Sequence, residues 1–257
     1  EAGYRTIRPQ DALAFLQGRA PLPDKALLLL FEGGRKDSLI AATPHLRAFG
    51  FMATMAIPTT CTRRWGSFYL HASDLKKFLR DPHWSLASMG HDALQPVTVG
   101  PDREGHFLSR RLWNDGRGED DTAFRARIRG DFAAAARVIA EAGYTNTLAY
   151  CFPYADAGTA AESDPLAADA IAEALAAHHP LAFSRADDAY NGPDGDPLQL
   201  TRLPVAGTWD AATLIAELDK TAPRSEEVQG VGGPDNWSFT GAGEAVAWEY
   251  TGEGEIA

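Results

Sequence analysis

Apolar and polar positions fall in blocks along the chain, and the longest apolar block sets the frame. Leu27-Leu28-Leu29-Leu30-Phe31 is continuous, runs into Glu32 and closes on Gly33-Gly34. Such a run, ended by paired glycines, predicts a fully buried strand feeding a tight loop. Glu32 then stands at the C-terminal end of that strand, the edge where parallel α/β folds build their sites. Before it, residues 3–7 read as extended. Residues 9–16, with Ala12, Leu13 and Leu16 apolar, have the spacing of a short helix face. After it, 38–49 predicts a helix stopped by Gly50, with Pro44 imposing a kink or a later start, and 51–57 predicts a second strand.

Periodicity then weakens. Residues 59–69 read as a loop carrying Arg63, Arg64 and Trp65. Ser73 is placed to cap a helix over 74–79, and 84–88 reads as a third strand. From 89 to 118 turn formers dominate, predicting a long loop of the kind that carries function or moves. The clearest helix covers 122–142, where Phe124, Ile128, Phe132, Ala135 and Ile139 form one stripe, with Arg125, Arg127 and Arg129 off it. Strands at 147–152 and 181–184 flank an alanine-rich helix from Pro165 to about 178. An extended stretch at 198–205 precedes a last helix over 209–218, capped by Thr208 or Asp210. Strands alternating with helices argue a parallel sheet or barrel. Past residue 223 the chain turns polar and glycine-rich, then alternates small, aromatic and acidic residues over 237–256, as a hairpin does. The expected boundaries are a 1–223 barrel and a 224–257 linker with a β segment, the start of another module.

Composition narrows the classes. The chain has 257 residues, is 45% hydrophobic and 23% charged, and carries a net charge of -11, as a soluble globular protein would. That charge argues against nucleic acid and anionic membrane surfaces as partners, and no apolar stretch is long enough to be a membrane span. The chain opens Glu1-Ala2-Gly3-Tyr4-Arg5 without a signal peptide, and reads as a processed or excised piece. Cys61 and Cys151 are expected as buried free thiols. No CxxC or HExxH pattern is present.

An ordered series of segments resembles the polysaccharide deacetylase (NodB-homology, carbohydrate esterase family 4) domain, closest in look to versions associated with exopolysaccharide. Leu27 through Gly34 is similar to its Thr-Phe-Asp-Asp-Gly motif. Met89-Gly90-His91-Asp92-Ala93-Leu94, with the strand before it, is similar to its His-containing second motif. Gly105-His106-Phe107-Leu108 resembles the loop that follows, and residues 150–158 its Arg-x-Pro-Tyr-Gly-Asp stretch. Residues 183–205 resemble its closing strands. The resemblance spans about residues 3–222 and implies a distorted (β/α) barrel with a C-terminal β extension. It also implies metal-dependent removal of acetyl groups from a sugar, in a periplasmic or extracellular setting.

On that alignment Glu32 keeps the base carboxylate one methylene longer, while Gly33, Met89 and Leu94 stand at the three metal-ligand positions. Cys151 replaces the arginine that would steady the base. A catalytic metal needs about three protein ligands, and a thioether suits copper(I) rather than the family's ion. The expectation is a degenerate domain with no metal and no cofactor, leaning away from being an enzyme. It would bind polysaccharide or oligosaccharide, or support exopolysaccharide synthesis and export machinery. One alternative is a glycosidase or esterase with displaced chemistry, using Glu32 with His91, Asp92 or Asp156. Another is a protein-interaction domain. Trp65, Tyr154, Asp156 and Asp187 are the candidate substrate contacts. Against these stand plainer roles: Glu32 salt-bridged to Arg35, Arg63 or Arg185; His91 a hydrogen-bonded loop residue; Met89 and Trp84 core; Arg110-Arg111 solvated; and His178-His179 a helix end favouring charged imidazole.

Overall fold

Strand–helix alternation builds one parallel sheet whose C-terminal edge gathers the candidate residues. In the computed structural model, residues 2–63, 68–78, 80–144, 147–186, 190–221, 237–240 and 247–250 are described. The first half comprises β1 (Arg5–Thr6), α1 (Pro9–Leu16), β2 (Ala26–Leu27), β3 (Leu29–Glu32), α2 (Lys36–Phe49), β4 (Ala53–Ile57), α3 (Ala72–Phe78) and β5 (Trp84–Ser88). Two hairpins follow, β6 (Pro96–Gly100) with β7 (Arg103–His106), and β8 (Trp113–Asn114) with β9 (Arg117–Gly118). Then come α4 (Asp121–Glu141), β10 (Ala149–Cys151), α5 (Ala167–His178), β11 (Leu181–Phe183), α6 (Ala211–Thr221), and a last pair, β12 (Trp237–Thr240) and β13 (Ala247–Tyr250). The five-stranded sheet runs β11-β10-β5-β4-β3 with every pair parallel, so β3 and β11 are its two open edges.

The leucine run is not one buried strand. Ala26–Leu27 pairs with Arg5–Thr6, and the chain then steps into β3, an edge strand whose Leu29, Leu30 and Phe31 stay partly exposed. Its neighbour β4 is buried throughout, as are β10 and β11. One face of the sheet packs Met55, Ile57, Trp84 and Leu86 under α2 and α3. Further along, Phe124, Ile128 and Phe132 of α4 pack with Ile171 of α5 against Tyr150 and Phe152. The other face mixes small side chains, Ala56, Ala87 and Cys151, with Met89, Leu181, Phe183 and Leu200.

Several local expectations change. Helix α2 passes through Pro44 without ending, because the carbonyl that loses its donor belongs to Ile40, on an exposed side. Helix α3 begins at Ala72, since the Asp74 carboxylate accepts the His71 N–H and pairs with Lys36, fixing the first turn earlier than Ser73 would. The expected long loop over 89–118 folds into the two hairpins. Arg127 does not face solvent: it pairs with Glu119 and donates to the Phe107 and Arg110 carbonyls, pinning that region to α4. Arg111 likewise pairs with Asp164 and Asp121. His179 is buried and held neutral, its pKa pushed down to about 4 by burial rather than raised by the helix end. Asp210 caps α6 through the Thr213 N–H, Trp84 is core, and both cysteines are buried, neither in a disulfide. Strands β12 and β13 form an antiparallel ladder from Trp237↔Tyr250 to Thr240↔Ala247. No helix among the described residues is long and apolar enough to cross a membrane.

Candidate functional site

At the C-terminal ends of β3, β5 and β10 lies a cavity of about 390 Å³, lined in part by Glu32, Gly33, Met89, Leu94, Tyr154 and Arg202. Sequence reasoning named five of these six. Glu32 projects from the last position of β3, and its side chain is 38% exposed. Of the expected cations, Arg35 does not pair with it. Arg35 pairs with Asp37 instead, and the partner is Arg202, whose Nε donates to Glu32 Oε1 at 2.5 Å.

Arg202 also reaches three backbone carbonyls, donating through its terminal nitrogens to Phe183, Arg185 and Phe152. It is 12% exposed. One planar guanidinium therefore ties the end of edge strand β3 to the ends of β10 and β11, across the gap that the sheet leaves open. The guanidinium beside Glu32 thus comes from Arg202, beyond β11, and not from position 151. Burial first, and the Glu32 charge second, push the Cys151 thiol well up, so it stays protonated beside the pair.

The opposite wall is built around a backbone–thioether contact. Gly33 has φ 88, a left-handed conformation that glycine adopts without strain, and its N–H donates to Met89 Sδ at 3.2 Å. Met89 is 2% exposed, and the neighbouring Leu94 adds an aliphatic surface. These residues do not fit the metal that the resemblance implies. The cavity offers one carboxylate, already bonded to a guanidinium, and one thioether sulfur, already accepting an N–H. A divalent cation here would have a single anionic ligand and a fixed positive charge beside it. Among the described residues no group of three His, Cys, Asp or Glu converges anywhere.

His91 and Asp92 do not share this cavity with Glu32. His91 Nδ1 is 2.8 Å from Thr59 Oγ1, and the backbone N–H groups of His91 and Asp92 both donate to the Asp131 carboxylate, at 3.0 and 2.6 Å. Asp131 is 5% exposed, and burial pushes its pKa up to about 6 against the effect of those two N–H groups. Gly90 (φ 81) leaves no room for a larger residue: a Cβ would strike the Asp131 carboxylate and lie 2.6 Å from Ala93 Cβ. The loop that would carry histidine ligands is thus held from below by a buried carboxylate.

Tyr154 lines the cavity as expected, while Asp156 does not. Asp156 is 8% exposed and accepts from His106 Nδ1 at 2.9 Å, from Ser109 Oγ and from the Gly158 N–H. Trp65 and Asp187 lie outside the described residues. The sequence reading missed Arg202, Asp131 and the role of His106. Two of them left a trace: Asp131 interrupts the apolar stripe of α4 between Ile128 and Phe132, and Arg202 is a lone cation in the extended stretch 198–205.

No protein-family model matches the chain, and no curated protein does. Solved structures do. A de-N-acetylase from Aggregatibacter actinomycetemcomitans superposes with a TM-score of 0.71 at 17% identity, covering 84% of each chain. The deacetylase domain of BpsB from Bordetella bronchiseptica gives 0.66 at 23% identity, over 78% of this chain and 79% of that one. IcaB from Ammonifex degensii gives 0.59 at 19%, over 84% and 83%. At such identities the likeness is one of fold, and the fold is the distorted (β/α) barrel of the polysaccharide deacetylases.

Proposed function

We propose that this chain is a deacetylase-fold domain that binds polysaccharide or oligosaccharide and does not deacetylate it. One observation carries the proposal: where the resemblance expects three metal ligands, the cavity wall is the Gly33 N–H bonded to the Met89 thioether, with Leu94 beside it. The Glu32–Arg202 pair keeps the base-and-arginine half of the chemistry. The half that would polarise an acetyl carbonyl has no ligands. Metal polarisation contributes several kcal/mol to such a reaction.

An open cavity with an aromatic wall and few polar groups suits a sugar ring. A hydrolase with displaced chemistry needs a second carboxylate or imidazole sharing the cavity with Glu32, and neither His91, Asp92 nor Asp156 lines it. The setting we propose is exopolysaccharide synthesis or export, outside the cytoplasm, with the machinery proteins of that process as partners and a domain boundary near residue 224.

The test is calorimetric titration with zinc, cobalt and nickel, alongside acetate release from N-acetylchitotetraose. We expect no stoichiometric metal binding and no metal-stimulated acetate release, with the oligosaccharide itself bound. One-to-one metal binding coupled to acetate release would overturn the proposal.

A further inference from the structure

A second constellation sits at the mouth of the cavity. Tyr154 and Ala155 are both left-handed, at φ 59 and 55, without being glycine. Two such residues in succession cost on the order of 1–3 kcal/mol each. The conformation delivers the Tyr154 ring to the cavity wall, 56% exposed, with its hydroxyl donating to the Leu94 carbonyl at 2.9 Å. The His106 ring, from the end of β7, lies flat on Tyr154, with centroids 4.5 Å apart and planes 12° apart.

The imidazole is fixed at one nitrogen. Asp156 is a carboxylate already taking the Ser109 hydroxyl and the Gly158 N–H. An ionised carboxylate can accept and cannot donate, so the proton between the two groups belongs to His106 Nδ1. In the neutral ring Nε2 then carries a lone pair. The His106 side chain is 49% exposed while Asp156 is 8% exposed, which leaves an oriented acceptor facing solvent beside an aromatic plate.

We propose that His106 reads the ligand at this mouth, with Nε2 accepting a hydrogen bond from a hydroxyl or amide N–H of a pyranose ring that rests beside Tyr154, and with Asp156 as its positioning residue. The inference builds on the carbohydrate reading above and adds a ligand class. That class is sugars that donate hydrogen bonds and carry no carboxylate, because a uronate would bring its negative charge toward the Nε2 lone pair and the Asp156 carboxylate.

The experiment is calorimetric binding of N-acetylchitotetraose and of tetragalacturonate to the wild-type chain, His106→Ala and Asp156→Asn. Thermal unfolding checks that each variant folds, and the ¹⁵N shifts of His106 report its tautomer. We expect the neutral sugar to bind more tightly than the uronate. His106→Ala should weaken it about 3–10-fold, the effect of one hydrogen bond. Asp156→Asn should weaken it while shifting the His106 nitrogen signals away from an Nδ1-protonated ring, which a merely structural aspartate would not do. If the neutral sugar binds and His106→Ala leaves its affinity unchanged, or if the uronate binds more tightly, the inference about His106 is wrong and the carbohydrate reading stands. If neither sugar binds the folded wild-type chain, both fall.

Discussion

Removing the Arg202 side chain should loosen the barrel more than it disturbs any charge balance. Arg202→Ala deletes three hydrogen bonds from a cation to carbonyls at the ends of β10 and β11 and one to Glu32. Charge-assisted bonds contribute about 1.5–3 kcal/mol each when measured singly. Here the Phe152, Phe183 and Arg185 carbonyls all keep a second partner, the backbone N–H groups of Ala155, Phe152 and residue 202 respectively, so their desolvation is partly offset. The Glu32 end is more than a third exposed and screened by water, which leaves it worth about 0.5 kcal/mol. Together these give a loss of about 2–4 kcal/mol. For a domain of this size that is a fall in Tm of about 4–16 °C. Arg202→Lys, which keeps a point charge without the planar fork, should recover less than half of it. Urea unfolding and thermal melts of the two variants and of Glu32→Gln measure this. An Arg202→Ala protein within about 0.5 kcal/mol of wild type would refute the clasp. So would a Glu32→Gln variant as unstable as Arg202→Ala, which would put the energy in the ion pair instead of the carbonyls.

Two other outcomes follow from buried groups. Asp131, pushed up to about 6, and His179, pushed down to about 4, act on stability in opposite senses. The native state holds the Asp131 proton more tightly than the unfolded chain, so that contribution is full at low pH and is lost as pH rises through about 6. The native state resists protonating His179, so its stability is present above about 6.5 and is lost as pH falls toward 4. Each is on the order of 3 kcal/mol, so between about pH 4.5 and 7 the pair nearly cancels. Urea midpoints of His179→Gln should therefore rise on acidification relative to wild type, and those of Asp131→Asn should fall. Parallel profiles for all three proteins would refute it. Gly90→Ala combines a left-handed φ with a clash against Asp131 and Ala93, and should cost several kcal/mol or abolish soluble expression. A melting temperature within about 2 °C of wild type would show that the turn over Asp131 can relax.

The strand–helix alternation was readable because each element carries a local period: the stripe of α4 and the β4 and β5 runs are patterns in neighbouring residues. The leucine run was misjudged because burial depends on which strands flank it. Five apolar residues look alike at a sheet's centre and at its edge, and pairing with Arg5–Thr6 split the run. The hairpins over 96–118 were missed for a similar reason, since Arg127 and Glu119 hold them in place through a buried pair that hydropathy counts as solvated charge. Met89, Gly33 and Leu94 were placed at one site by the resemblance of their segments to the deacetylase motifs, and all three line the cavity. Arg202 was missed because its partner stands 170 residues away, and no local period encodes such a distance.

The site's own logic follows from that long-range contact. A carboxylate at the end of an edge strand needs a counter-charge, and in an open sheet it also stands where the barrel gapes. A bound cation would satisfy the first requirement without helping with the second, since it ties side chains and not strand ends. A guanidinium fed in from beyond β11 meets both, because its fork reaches Glu32 and three strand-end carbonyls at once. Once it is there, a divalent ion beside Glu32 meets repulsion where it would have met attraction. Met89 and Leu94, where the resemblance expects histidines, pack the wall, and Met89 accepts the Gly33 N–H. On this account reversing the ligand substitutions alone, with histidines at 89 and 94 and aspartate at 33, would not recover a tight metal site while Arg202 stays in place.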